Sequence, residues 1–455
     1  MAKQKKLEIA LRNTIHIIDP WLAYQRWNGE LPSIAVGVVH GNKTVFAKAY
    51  GHADLKRHRK ATIRTVYRIT SNSKVFTALG IMGLQQAGKL KISDRVSKHL
   101  PWFESKKQPE LARITIKDLL TNSSGLMREG YTKQWTNDRF ATAAQIRKFM
   151  QRGALTASKR GAFKYSNLGF AVLGLLIETV SGQTYAEFMR AQITEPLGLK
   201  YTDARLTARI RANLARGYGR LLPGKTRPVF SDPETNAMEA ATGFSSNVLD
   251  LTKFVAAQFY GTGKIFSDKI KKQMYRPAVR NDHERSEYAG LGYEIWKVGK
   301  RMVVGHGGGF QGFLTMTAFD PKLKVGVVVL TNALGTSPRW FSDEIFKLLD
   351  YFLKNSKDFP TVPASKFKIF EGFYRGRWGD DLVRAASKKL VVISPDGPPA
   401  GRMAVLTPAR PAARFAIKVY GGDKNGEWAT FIDGGKKLIW GDGSAPERKI
   451  KITDK

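Results

Sequence analysis

The chain has no cysteine among its 455 residues. That excludes disulfides, a thiol nucleophile and zinc–thiolate sites, while leaving the redox compartment open. It is also short of acid: 38 Asp and Glu stand against 75 Lys and Arg, a formal net charge of +37. The excess is spread along the chain rather than blocked, which reads as a solvated surface. Short clusters such as Lys56-Arg57-His58-Arg59-Lys60 lack the aromatic-and-glycine signature of an RNA-binding sheet and the spacing of a zinc finger, so no specific nucleic acid is predicted. There is no apolar run long enough to span a membrane. The basic start is followed by Glu8, Arg12, His16 and Asp19, which interrupt any signal-peptide core, and residues 7–18 read as an amphipathic helix. The expected location is cytoplasmic, or exported with a signal peptide already removed.

The length suffices for two or three domains. Residues 33–50 alternate around Gly41-Asn42 as a β-hairpin. Residues 71–87 place Val75, Ala78, Leu79, Met82 and Leu84 at helical spacing, with Gly88 as a stop. The stretch 90–260 reads as mainly helical, with a strongly apolar helix at 168–180 and a capping start at Thr184-Tyr185-Ala186-Glu187. Residues 301–305, 313–319 and 325–331 read as strands and 342–353 as a helix. The early hairpin and the late strands are expected to share one sheet. Residues 356–366, with Pro360 and Pro363, read as a linker. The remainder, 367–455, is rich in short alternating runs and reads as a small all-β domain, a barrel being one form it can take. No internal repeat is evident.

Three segments could carry chemistry. Ser71 and Lys74 stand one helical turn apart, so an amine can exchange a proton with a hydroxyl that needs a base to become nucleophilic. Taken alone, Ser71 is an ordinary helix cap and Lys74 a solvated charge. A second Ser-x-x-Lys, Ser365 to Lys368, lacks a following apolar helix and is put down to chance. Tyr165-Ser166-Asn167 precedes the apolar helix; a tyrosine there can relay protons, and an asparagine can bond both Lys74 and a substrate amide. In Gly305-His306-Gly307-Gly308-Gly309 the glycines permit close backbone approach, and one N–H from this run with that of Ser71 would make an oxyanion hole. The His-Gly-Gly-Gly run also invites an α/β-hydrolase esterase reading, which the absence of Gly-x-Ser-x-Gly removes.

The segment Tyr67–Leu79, with Lys89–Val96 and Ile116–Leu126, resembles the class C β-lactamase-like family, which includes penicillin-binding proteins, D-aminopeptidases and certain esterases. Tyr165-Ser166-Asn167 is similar to its Tyr-x-Asn motif and His306-Gly307-Gly308 to its third motif, in matching order. Asn122 stands where members often have histidine, and His306 where true β-lactamases usually carry lysine. The resemblance implies a β-lactamase/transpeptidase-like α/β fold over residues 1–355, with an antiparallel sheet flanked by helices plus a helical region. The C-terminal domain is similar to lipocalin-like barrels appended to some of those peptidases.

The implied activity is a serine hydrolase that works through an acyl-enzyme. Ser71 would be nucleophile, Lys74 and Tyr165 its proton carriers, and Gly309 the second oxyanion donor. Asn167 and His306 would orient substrate beside Gly307 and Gly308. No metal or organic cofactor is implied. A short peptide or amide, those with a D-residue included, is the leading substrate; a carboxylesterase or weak β-lactamase is the alternative. A penicillin-binding sensor that hardly turns over is the rival of another class. A homo-oligomer is possible, as is contact with an anionic polymer through Arg375, Arg377, Arg384, Lys388 and Lys389.

Overall fold

A computed structural model describes residues 2–452 except 158, 282–286, 378, 402, 411, 420–425 and 442–446. Its strands in chain order are β1 (Ser33–His40), β2 (Lys43–Asp54), β3 (Arg59–Lys60), β4 (Tyr67–Arg68), β5 (Ser245–Ser246), β6 (Val279–Arg280), β7 (Tyr288–Ala289), β8 (Glu294–Val298), β9 (Arg301–Phe310), β10 (Phe313–Asp320) and β11 (Val325–Thr331). Then come β12 (Gly372–Gly376), β13 (Gly379–Ala386), β14 (Lys389–Ile393), β15 (Met403–Pro408), β16 (Arg414–Val419), β17 (Trp428–Ile432), β18 (Lys437–Trp440) and β19 (Glu447–Ile450). The chain groups into two compact units, residues 32–342, and residues 1–31 together with 343–455. The sequence boundary at 355/356 therefore differs from the structural one, which groups the N-terminal helix with the C-terminal strands.

In the 32–342 unit a nine-stranded sheet runs β3-β2-β1-β11-β10-β9-β8-β7-β6. The early hairpin joins the late strands by antiparallel pairing of β1 with β11, Ile34 opposite Thr331 and His40 opposite Val325. This pairing is favoured because β1 and β11 are apolar at nearly every position and are buried throughout all but the last residue of β1. The helix Val248–Ala257 packs on β1 where Gly37 leaves room for Val248 and Thr252. Helix α2 (Ser73–Gln86) is buried from Ser73 to Met82 and runs through the centre of this unit, with Phe76 stacked between Phe244 and Phe254 at 4.3 and 4.0 Å. The apolar helix at Asn167–Ser181 packs beside it, ended by Gly182 in the left-handed conformation. The expected strand at 301–305 extends to Phe310, so the glycine run is itself ladder rather than loop.

In the other unit β12 to β19 close into an antiparallel barrel. Its interior is filled by side chains, with Phe370, Phe415 and Phe431 at centroid separations of 4.7–5.5 Å. Helix α1 (Ala2–Asn28) belongs here, considerably longer than its predicted core. Trp21 Nε1 donates to the Gly397 carbonyl at 3.1 Å, and Tyr24 stacks on Phe373 at 5.4 Å. Asn13 exchanges hydrogen bonds with Thr361 and Ser387. Of the five basic residues predicted for an anionic polymer, Arg375 is held by Asp380, Arg384 by Glu371 and Lys389 by Asp358. The patch is thus less cationic than the sequence implies, because its charges are met by carboxylates from neighbouring strands and turns. Among the described residues no helix is long and apolar enough to cross a membrane.

The contact of α1 centres on Glu371, which accepts from His16 Nε2 at 2.5 Å, from the Ala385 N–H at 2.8 Å, and pairs with Arg384. Burial pushes the Glu371 carboxyl up, but the His16 hydrogen bond and the Arg384 charge outweigh it and hold it below the usual range. Its contribution to stability is present above the ordinary carboxylate range and is lost as pH falls through its lowered value. Glu371→Gln is expected to cost about 2 kcal/mol at neutral pH, read by denaturant unfolding of this unit, with the difference from the parent vanishing in acid. An equal difference at all pH values would contradict that role.

Candidate active site

Ser71 does not cap α2. It lies in the single 3-10 turn Thr70–Asn72 that precedes the helix, after a left-handed Thr70 at φ +58°. The first residue of α2, Ser73, ties this turn to the chain at Phe244: its hydroxyl donates to the Thr70 carbonyl at 2.5 Å and accepts the Phe244 N–H at 3.0 Å. The turn is held from the sheet. Asn72 Nδ2 donates to Thr315 Oγ1 at 3.0 Å, Thr317 Oγ1 donates to Asn72 Oδ1 at 2.6 Å, and Thr315 Oγ1 donates to the Ile69 carbonyl at 3.1 Å. These bonds leave Ser71 Oγ, partly exposed, free for two other contacts.

Those contacts are Lys74 Nζ at 3.2 Å and Tyr165 Oη at 2.9 Å, both donating to Ser71 Oγ. Lys74 is fully buried, and its amine also donates to Asn167 Oδ1 at 2.6 Å and to the Ala241 carbonyl at 2.9 Å. Burial is the largest influence on it and pushes the amine down to about 7; Glu129 pulls it back up and Arg128 presses it down. A primary amine at that value has an appreciable neutral fraction at physiological pH, the condition for accepting a proton.

Tyr165 and Asn167 are placed by the start of their helix. Ser166 is its N-cap, with Oγ accepting the Gly169 N–H at 2.9 Å and donating to the Met127 carbonyl at 2.8 Å. Asn122 Oδ1 accepts the Ser166 N–H at 3.0 Å, so the departure at Asn122 is a brace for this turn. Two carboxylates that sequence reasoning missed flank the centre. Glu129 accepts from Asn167 Nδ2 at 2.7 Å and from Gln134 Nε2 at 2.5 Å, fixing which face of the amide meets Lys74. Glu294, on β8, lies 3.7 Å from His306 Nδ1 and accepts the Gly307 N–H at 3.4 Å. Neither belongs to a motif. The only sequence signal for Glu129 is its place just after the Ile116–Leu126 segment.

His306 is buried in β9 with its ring 6.4 Å from that of Tyr165. Its Nδ1 is 2.5 Å from the Gly307 carbonyl, which fixes that nitrogen as the N–H donor. Burial lowers its pKa against the opposing pull of Glu294, which favours the neutral ring. Gly307 sits opposite Met316, Gly308 opposite Thr315 and Gly309 opposite Leu314 in the β9–β10 ladder. Gly308 makes the close approach to the nucleophile turn: a Cβ there would fall 2.6 Å from the Ile69 carbonyl oxygen and 2.7 Å from Thr315 Oγ1, and against Thr70 Oγ1. Ser365 and Lys368 are exposed on a 3-10 turn of the other unit.

Residues 18–351 match the protein family described as Beta-lactamase. The chain belongs to the beta-lactamase family. The family is one of serine hydrolases, and residues 18–351 include every segment of the site. The chain is 28% identical over 352 residues to protein flp of Staphylococcus aureus strain MW2, covering 76% of this chain and 68% of that one. It is 26% identical over 344 residues to penicillin-binding protein 4* of Bacillus subtilis strain 168, covering 72% of this chain and 74% of that one. Among solved structures, the octameric penicillin-binding protein homologue from Pyrococcus abyssi aligns with a TM-score of 0.65 at 23% identity, over 96% of this chain and 99% of that one. D-amino acid amidase from Ochrobactrum anthropi SV3 aligns with a TM-score of 0.63 at 22% identity, over 76% and 99%. These likenesses establish a β-lactamase/transpeptidase-like fold, and the Pyrococcus alignment extends through the C-terminal strands.

Proposed function

We propose that this member of the beta-lactamase family cleaves amide bonds of short peptides or amino-acid amides, with a preference for D-residues, through an acyl-enzyme on Ser71. The observation that carries the proposal is the buried Lys74 amine, near-neutral in pKa and in contact with Ser71 Oγ. In the proposed first step neutral Lys74, with Tyr165, takes the Ser71 proton as Oγ bonds to the carbonyl carbon. The oxyanion is received by the N–H groups of Ser71 and Gly309. The C–N bond then breaks, and the departing amine leaves with the proton that Lys74 and Tyr165 held. Water, deprotonated by the same pair, releases the acyl group and restores Ser71.

The amide reading over the β-lactam reading is supported by charge. Burial favours the neutral form of His306 and Glu294 stands beside it, a poor seat for the carboxylate of a β-lactam. The D-residue preference is supported by the likeness in fold to a D-amino acid amidase. The test is a fluorophosphonate label located by peptide mass spectrometry, alongside turnover of D-alanyl amides, nitrophenyl esters and a chromogenic cephalosporin. The expected result is one adduct at Ser71 and faster turnover of the amides than of the cephalosporin. A label elsewhere refutes the site, and a lasting adduct with no substrate turned over favours a sensor.

A further inference from the structure

The two carboxylates beside the site are not equivalent. Glu129 has a short donor on each oxygen, from Asn167 and Gln134, and so is committed to positioning Asn167. Glu294 has none: its contacts are the 3.4 Å Gly307 N–H and the 3.7 Å His306 ring nitrogen, and its side chain remains about one-fifth exposed at 21%. A carboxylate oxygen takes up strong donors at 2.7–2.9 Å when they are present. Glu294 thus retains acceptor capacity on the side of the site formed by His306 and Gly307, in a protein whose net charge is +37. Placing an under-used acid there makes this edge attractive to a cation and repulsive to an anion.

We infer that Glu294 is a specificity-determining residue that receives the protonated amine of the substrate, so that the preferred acyl donors carry a free ammonium group. The inference rests on the proposed acyl-enzyme chemistry at Ser71 and names its substrate class more narrowly. An α-ammonium lies two bonds from the carbonyl carbon that Ser71 attacks, so recognising it orients the reacting group and excludes N-acylated peptides together.

The test compares D-phenylalaninamide with N-acetyl-D-phenylalaninamide on the full chain and on Glu294→Gln. Two readouts are used: hydrolysis, and protection of Ser71 against fluorophosphonate labelling, which needs binding but no turnover. The unmodified protein is expected to favour the free amine, and Glu294→Gln to raise KM and the protecting concentration for that amide about 10-fold. The acetylated amide should be unaffected by the substitution. Equal losses for both amides would mean that Glu294 only holds His306 in place, and better protection by the acetylated amide would likewise overturn the inference. Absence of any fluorophosphonate adduct at Ser71 in the parent would instead defeat the acyl-enzyme proposal, and this inference with it.

Discussion

Ser71→Ala is expected to lower kcat for the best substrate by roughly 10⁵-fold or more, with circular dichroism and melting temperature unchanged. Ser71 Oγ is partly exposed and receives two hydrogen bonds, neither of which holds the fold together. Lys74→Ala should be nearly as damaging, and the double substitution little worse than either single one, because groups acting as one unit do not add. The pH dependence separates the base role of Lys74 from a structural one. With its amine pressed to about 7, the neutral form populates as pH rises through that value. The profile of kcat/KM for the free enzyme should therefore climb along a limb centred near neutrality. A flat profile from pH 5 to 9 would remove Lys74 from that role, and full activity in Ser71→Ala would remove the nucleophile.

Gly308→Ala should be the most damaging methyl addition among Gly307, Gly308 and Gly309. The new Cβ meets the Ile69 carbonyl at 2.6 Å, and a backbone atom cannot rotate away. Strand β9 and the nucleophile turn must separate, at a cost of about 1–3 kcal/mol. A shift of that kind also misplaces Ser71 and is expected to lower kcat/KM roughly 100-fold. Gly309→Ala is the control, since its Cβ would meet only Leu314 Cδ2 at an ordinary 3.4 Å. Denaturant midpoints and rates on the pair would check this, and equal behaviour of the two variants would contradict the packing argument.

Part of this candidate site is legible in local patterns. Ser71 and Lys74 were recognisable because their separation is a property of one helix, and the three motifs fell in family order. What local spacing leaves out is which element an isolated residue meets. Glu129 and Glu294 act across the fold, on Asn167 and on the His306 strand, and no periodicity marks them. The strand read from the sequence stops at residue 305 because glycine is poor in strands, yet ladder pairing with β10 holds the glycine run extended. Helix α1 looked like part of the first domain because it comes first. Its partners, Thr361, Glu371, Ser387 and Gly397, are more than 300 residues away, beyond the reach of any local pattern.

The seat of Lys74 also dictates the direction of a proton. An ammonium has three hydrogens, and the seat offers three acceptors: Asn167 Oδ1, the Ala241 carbonyl and Ser71 Oγ. Once the amine is neutral it has two hydrogens and a lone pair, so one acceptor must go without. The amide and carbonyl oxygens, at 2.6 and 2.9 Å, can only accept. The hydroxyl alone can turn round and donate. Losing its proton therefore leaves the lone pair of Lys74 facing Ser71 O–H, with the amine held in orientation before any substrate arrives.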